Sequence, residues 1–145
     1  MKILIMNLFE AMDYLPTNPT YAIRIESPPN PKFDSKPFSL RYPLQKSNLY
    51  TIVEYYFDDR TPDFGSGKLF DQEIAQRILT DFKDRGLDKE TLLVHCARGR
   101  NRSPAVGIAL NEIFNLGYVT KELKQKYPEA TWYVYRTLLD VAKRF

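Results

Sequence analysis

The residues best suited to chemistry lie in one nine-residue stretch near the middle of the second half of the chain. That stretch reads His95-Cys96-Ala97-Arg98-Gly99-Arg100-Asn101-Arg102-Ser103. A free cysteine has a pKa of roughly 8.5, so only a few per cent is thiolate at neutral pH. Backbone N–H groups of a turn, the N-terminus of a helix and nearby cations all favour the thiolate, and they also bind a phosphate dianion. The stretch therefore predicts a cysteine nucleophile that acts on a phosphate group.

The elements around this stretch must form a turn for that chemistry to work. A short apolar run, 91–94, precedes it and predicts a buried strand, and residues 104–110 follow with helical spacing. Arg102 would then lie in the first turn of the helix, where its planar guanidinium can bind two phosphate oxygens. Gly99 suits a backbone that bends sharply and approaches a ligand closely. Ser103 can donate a hydrogen bond to the sulfur when the sulfur is the leaving group.

This loop resembles the phosphate loop of the cysteine-dependent protein tyrosine phosphatase superfamily, which reads His-Cys, five residues, Arg and Ser or Thr. The match includes His95, Cys96, the central Gly99, Arg102 and Ser103. The short chain and the Arg-Ser-Pro-Ala continuation look most like the small dual-specificity phosphatases. The resemblance implies a phosphomonoester hydrolase with Cys96 and Arg102 as catalytic residues and a phosphocysteine intermediate. The predicted substrate-binding residues are Ala97, Arg98, Gly99, Arg100, Asn101 and Ser103.

Cleavage of a phosphate ester also needs an acid that protonates the leaving oxygen, and one carboxylic acid can later serve as the base for water. In the family that the loop resembles, this acid is an aspartate on the loop after the preceding strand. Asp58, Asp59 and Asp63 all lie in the matching range. We favour Asp59, because it follows the strand as Phe-x-Asp does in the small members. His95 is expected to support the loop through backbone hydrogen bonds and not to act as a base.

Other functions remain open at this point. The Gly-x-Asn-Arg of the loop is also similar to RNA 5′-triphosphatases of the superfamily, and Arg98 and Arg100 could recruit a second anionic group, as in phosphoinositide phosphatases. A non-catalytic phosphate-binding pseudophosphatase is a further alternative, although the presence of Cys96 and Arg102 argues against it. Rhodanese-like sulfur transfer usually uses a shorter loop between cysteine and arginine. The expected partner is thus a phosphorylated protein or another phosphomonoester, with nucleic acid as a less favoured substrate.

Composition limits the remaining possibilities. The 145 residues are 43% hydrophobic and 27% charged with a net charge of +3, which predicts one globular domain over residues 1–145. One cysteine cannot form an intrachain disulfide, and one histidine with it is too little for a zinc site. No cofactor or metal is expected. Apolar runs are too short for a membrane span, and the apolar start lacks a cleavage site, so we expect no membrane partner and a cytoplasmic location.

The rest of the chain predicts an α/β fold with a mainly parallel sheet of about four strands and helices on both faces. The phosphate loop joins the last strand to a helix, at the carboxyl edge of the sheet, where ligands of such folds bind. A Pro-rich segment from 27 to about 48 is expected to be irregular. The predicted strands are 2–6, 20–26, 50–57 and 91–95, and the predicted helices are 8–15, 69–85, 102–116, 119–126 and 130–145.

Overall fold

A computed structural model describes residues 1–63 and 66–145 of the chain. Four parallel strands form one sheet in the order β1-β4-β2-β3. The fold class predicted from the sequence is confirmed, and the strands begin and end within one residue of the predicted positions. The strands are β1 (Lys2–Met6), β2 (Thr20–Glu26), β3 (Tyr50–Tyr56) and β4 (Thr91–His95).

Six helices connect and cover these strands in the described part of the chain. Each predicted helix is present but is one to five residues shorter than its apolar pattern suggested. The helices are α1 (Leu8–Asp13), α2 (Phe38–Arg41), α3 (Gln72–Arg85), α4 (Arg102–Phe114), α5 (Thr120–Lys126) and α6 (Trp132–Ala142). The short α2 lies within the Pro-rich segment, for which no helix was predicted.

The two faces of the sheet are covered unequally. Helices α3, α4 and α6 pack on one face, where Ile23, Val94 and Ile108 belong to a single large core. The opposite face carries a smaller cluster, in which Ala11 of α1 packs on Ala22 and Leu93. Both faces of β2 and β4 are buried, and the middle of each strand is apolar as expected for a central parallel strand, with Arg24 of β2 as the exception.

Helix α4 ends earlier than the glycine in the sequence suggested. Asn115, with φ of 57°, takes the left-handed conformation that closes the helix, and the N–H of Leu116 donates to the carbonyl of Asn111. Gly117 has φ of 108° and belongs to the following turn. Asparagine is the non-glycine residue that tolerates this conformation best, so the helix end follows from Asn115.

The strand order brings the functional candidates to one edge of the sheet. Strand β4 lies between β1 and β2, with Met6 paired to His95 on one side and Arg24 paired to His95 on the other. The carboxyl ends of all four parallel strands therefore meet around the turn that begins at Cys96. Within the described ranges, none of the helices is both long enough and apolar enough to span a membrane.

Candidate active site

The sulfur of Cys96 lies at the base of the turn between β4 and α4. The backbone N–H of Gly99 donates to Sγ at 3.3 Å, and that of Ser103 does so at 3.5 Å. The hydroxyl of Ser103 lies 3.2 Å from the same atom. Cys96 is 2% exposed. The sulfur therefore has polar donors around it although the residue is buried, and these donors suit a thiolate.

The N-terminus of α4 supplies part of this environment. Its N-cap residue, Asn101, makes no side-chain hydrogen bond to the helix, so the first N–H groups are free for other partners. One of them, the N–H of Ser103, contacts the sulfur. The positive end of the helix dipole thus adds to the donors of the loop, in the way that helix N-termini bind anions.

Gly99 fixes the path of the loop for a reason that the sequence did not indicate. Its φ is +71°, and an added Cβ would lie 2.8 Å from the backbone nitrogen of Asn7. The N–H of Leu8 also donates to the carbonyl of Ala97 at 3.3 Å. The close approach that requires glycine is therefore made to the junction of β1 and α1, and the loop rests on that junction.

Arg102 points inward from the first turn of α4 and is 7% exposed. Its Nη1 donates to the carbonyl oxygen of Phe57 at 2.9 Å and to Oγ of Ser27 at 3.3 Å. Among the described residues, Nε and Nη2 make no hydrogen bond. The guanidinium is thus held on one side by the ends of β2 and β3, while the N–H groups on its other side have no protein acceptor.

The three candidate carboxylates share one loop but differ in their contacts. Asp58 stabilises that loop, since its Oδ2 accepts a hydrogen bond from the N–H of Lys68. The same oxygen would lie 2.2 Å from a Cβ added to Gly67. Asp59 is exposed, and its Oδ1 accepts a hydrogen bond from the hydroxyl of Thr131 at 2.6 Å. Asp63 is exposed as well, at a turn of the loop.

Thr131 connects the carboxylate loop to the cysteine loop. Its hydroxyl donates to Asp59, and its backbone N–H donates to the carbonyl of Asn101 at 3.0 Å. Nδ2 of Asn101 donates in turn to the carbonyl of Glu129 at 2.8 Å. The turn between α5 and α6 therefore holds Asp59 and the end of the cysteine loop in a fixed relation.

His95 is fully buried behind the cysteine loop, and Nε2 accepts a hydrogen bond from Nε of Arg24 at 2.9 Å. Burial, and after it the charge of Arg24, lowers the pKa of His95 from 6.5 to about 4. The ring is therefore neutral at physiological pH. Because Nε2 accepts, the proton is on Nδ1, which faces the backbone of Cys96 without full hydrogen-bond geometry to any described residue.

The remaining loop residues face outward. Arg98 and Arg100 are exposed, as is Ala97. Arg100 borders a cleft of about 400 Å³ with Lys126 and Glu129 from the end of α5 and the following turn. The described residues include no cluster of three or more His, Cys, Asp or Glu side chains placed to bind a metal ion.

Three residues of this arrangement were missed in the sequence. Ser27 and Thr131 contact Arg102 and Asp59 across 75 and 72 positions of the chain, and no local pattern reveals such pairs. Arg24 did carry a signal, because a charged residue between Ile23 and Ile25 contradicts the apolar run of a central parallel strand.

The fold and the site together define an α/β protein in which a strand-to-helix turn carries a buried cysteine and, six residues later, an inward-pointing arginine. No protein-family model matches the chain, and no curated protein does. Among solved structures, the chain is similar to one described as "Crystal structure of Tk-PTP in the active form". The two are 16% identical with a TM-score of 0.49, over 99% of this chain and 91% of that one. This similarity concerns the fold alone.

Proposed function

We propose that the protein hydrolyses phosphate monoesters, as a phosphatase of the protein tyrosine or dual-specificity type, through a phosphocysteine at Cys96. The observation that carries the proposal is the environment of the sulfur, to which the N–H groups of Gly99 and Ser103 and the hydroxyl of Ser103 all point. An inert core thiol needs no such donors. An arginine buried on the same turn completes the requirements for a phosphate dianion.

In the proposed first step, the Cys96 thiolate attacks phosphorus in line with the ester oxygen. A sulfur–phosphorus bond forms as the phosphorus–oxygen bond breaks, and the general acid gives its proton to the departing oxygen. The free N–H groups of Arg102 and the backbone amides of residues 97–102 bind the equatorial oxygens, where negative charge is concentrated in the transition state. The contacts to Phe57 and Ser27 support this role, because they hold the guanidinium in place before substrate arrives.

In the second step, water attacks the phosphorus of the phosphocysteine. The carboxylate that lost its proton takes one from the water, inorganic phosphate leaves, and the thiolate is restored. The hydroxyl of Ser103, 3.2 Å from the sulfur, donates to it as it departs. A hydrogen bond to the leaving thiolate lowers the barrier of this step specifically.

We assign the general acid to Asp59, and the contacts of the three candidates support that choice. The carboxylate of Asp58 already accepts from the backbone at Lys68, so its use would break the loop. Asp59 is accessible and is tied through Thr131 to the residue that precedes Arg102. An acid held at a fixed distance from the cysteine loop can reach the leaving oxygen of a bound phosphate. Asp63 makes no comparable hydrogen bond towards that loop among the described residues.

The reaction is tested by measuring hydrolysis of p-nitrophenyl phosphate. Because the chain has a single cysteine, any phosphocysteine that forms must be at Cys96. We expect Cys96→Ser to abolish turnover and Arg102→Lys to lower kcat about 100-fold or more, since lysine lacks the planar fork. Arg77→Lys, on the exposed surface of α3, is the matched control and should have no effect. Acid-quenched protein should carry one phosphoryl group, on Cys96, and Ser103→Ala should increase its amount. Robust turnover by Cys96→Ser would refute the proposal.

The assignment of the acid is tested with two leaving groups of different basicity. Asp59→Asn should slow hydrolysis of phenyl phosphate far more than that of p-nitrophenyl phosphate, because the poorer leaving group depends more on protonation. It should also remove the fall in rate on the alkaline side of the pH profile. If Asp63→Asn has these effects and Asp59→Asn does not, the acid is Asp63.

The proposed substrates are phosphorylated proteins. The cleft beside Arg100 is bordered by Lys126, Tyr127 and Glu129, a mixture of charges that suits a peptide better than a polyanion. The Cys96→Ser protein, as a substrate trap, should retain phosphopeptides in preference to phosphoinositide vesicles or 5′-triphosphorylated RNA. Preferential retention of phosphoinositide vesicles or of 5′-triphosphorylated RNA would instead identify that class of molecule as the substrate.

A further inference from the structure

Arg24 is a buried cation that the proposed reaction does not use. It lies in β2, one of the two central strands, and is 2% exposed. Its Nε donates to Nε2 of His95 at 2.9 Å, and its Nη2 donates to the carbonyl of Tyr42. The guanidinium also lies over the ring of Phe38, 4.6 Å from the centroid. All of its partners are uncharged, which is unusual for an arginine at this depth.

The charge of Arg24 has no close counter-ion among the described residues, where no carboxylate oxygen comes within 4.0 Å of it. The charged and titratable groups that face it at longer range are Glu54, Tyr50 and Tyr56 of β3 and Glu26 of β2. Burial lowers the pKa of Arg24 in spite of these groups. A buried charge without a paired carboxylate is costly for the fold, so its presence behind the cysteine loop calls for a compensating role.

The hydrogen bond between Arg24 and His95 dictates where the histidine proton resides. A guanidinium only donates, so Nε2 of His95 must accept and the neutral ring must carry its proton on Nδ1. That nitrogen faces the backbone of Cys96, the next residue in the chain. The pKa of His95, lowered to about 4, keeps the ring in this form throughout the physiological range.

We propose that Arg24 is a positioning residue for the nucleophile. Its hydrogen bond holds His95 in one neutral tautomer with Nδ1–H towards the Cys96 backbone. The inference deepens the proposed function, since phosphoryl transfer requires a nucleophile that is held in place before substrate arrives. It rests on the geometry of the buried pair.

The single histidine of the chain makes the inference measurable without ambiguity. The nitrogen NMR signals of a histidine ring report only on His95. In the wild-type protein we expect the Nδ1–H tautomer at pH 7. A protonated ring or an Nε2–H tautomer at that pH would overturn the proposal without any variant.

Two variants separate the hydrogen bond from the charge. Arg24→Met removes the donor to Nε2, so the ring signals should show a mixture of the two neutral tautomers. Arg24→Lys keeps the charge but replaces two separate donor nitrogens by one, so the Nδ1–H tautomer should be retained only in part. Arg77→Met removes one exposed charge and is the control, with unchanged ring signals expected. Thermal unfolding verifies that each variant is folded.

The outcomes distinguish this inference from the proposed function. Ring signals need no turnover, so the change of tautomer would stand even if the wild-type protein hydrolysed no phosphate ester, and only the phosphatase proposal would then fail. If folded Arg24→Met and Arg24→Lys both keep the wild-type ring signals, the positioning role is wrong even in an active phosphatase.

Discussion

Acidification from about pH 7.5 to pH 5 should destabilise this protein by about 2 kcal/mol through His95 alone. The folded protein holds His95 with a pKa of about 4, against 6.5 for an unburied histidine, because of burial first and of Arg24 second. Between these two pKa values, the imidazole of His95 is protonated in the unfolded chain and neutral in the folded protein. The stabilising effect is therefore complete above pH 6.5 and is lost as the pH falls towards 4, where the total loss reaches about 3 kcal/mol.

The assay is urea unfolding followed by the fluorescence of Trp132, the one tryptophan of the chain, at several pH values from 7.5 to 4.5. Carboxylates also titrate in this range, so the quantity of interest is the difference between the wild-type protein and His95→Gln. Glutamine places an oxygen near the position of Nε2 and can accept from Arg24, but it does not titrate.

Two results would refute the reasoning. Parallel stability curves for the wild-type protein and His95→Gln would mean that His95 titrates alike in the folded and unfolded states. A ring that becomes protonated near pH 6.5 in the folded protein, observed by NMR, would give the same conclusion directly. In Arg24→Met the histidine contribution should be smaller but still present, because burial is the larger of the two causes.

Further predictions concern the loop, its acid and its ligand. Gly99→Ala should lower the free energy of unfolding by about 2 kcal/mol or more and reduce activity, since a Cβ would meet the backbone at the end of β1, whereas Gly117→Ala, which meets nothing within 4 Å, should leave activity intact. Thr131→Val keeps the shape but removes the hydrogen bond to Asp59, and kcat should fall about 5- to 10-fold with KM unchanged; an unchanged kcat would contradict the link. Phosphate at about 100 times its Kd should raise the stability by about 2.7 kcal/mol, and Arg102→Ala should abolish this effect.

The sheet was predictable from the sequence because its strands are short apolar runs with clear ends. Strand β4 illustrates this, since 91–95 is buried at every position and gives way at once to a polar, Gly-containing turn. The cysteine loop was predictable for a related reason. Its residues are close together in the chain, and their types serve one chemistry, so the pattern is visible without knowledge of any distant contact.

The contacts that hold the site could not be predicted, because they join segments that are far apart in sequence. The bond between Arg24 and His95 spans 71 positions, and that between Thr131 and Asp59 spans 72. The role of Gly99 was predicted only in part, since the backbone that it approaches belongs to β1 and α1. Hydrophobic periodicity specifies which face of an element is buried, but not which polar groups meet at the edge of a sheet.

The position of Arg102 explains why β2 and β3, as well as β4, matter to a site that the sequence places in one loop. The cysteine loop leaves β4, yet Arg102 donates to the carbonyl of Phe57 at the end of β3, with β2 in between. Two strand spacings amount to about 10 Å, a distance that suits the long side chain of arginine better than that of histidine. Because the guanidinium is held by β2 and β3 while the sulfur is held by β4, a shift of the β3 edge moves the two apart. Substitutions in the core beneath β3, such as Val53→Ala, should therefore lower kcat through Arg102 while alkylation of Cys96 stays unchanged. A parallel loss of both properties would instead indicate that the sheet as a whole had loosened.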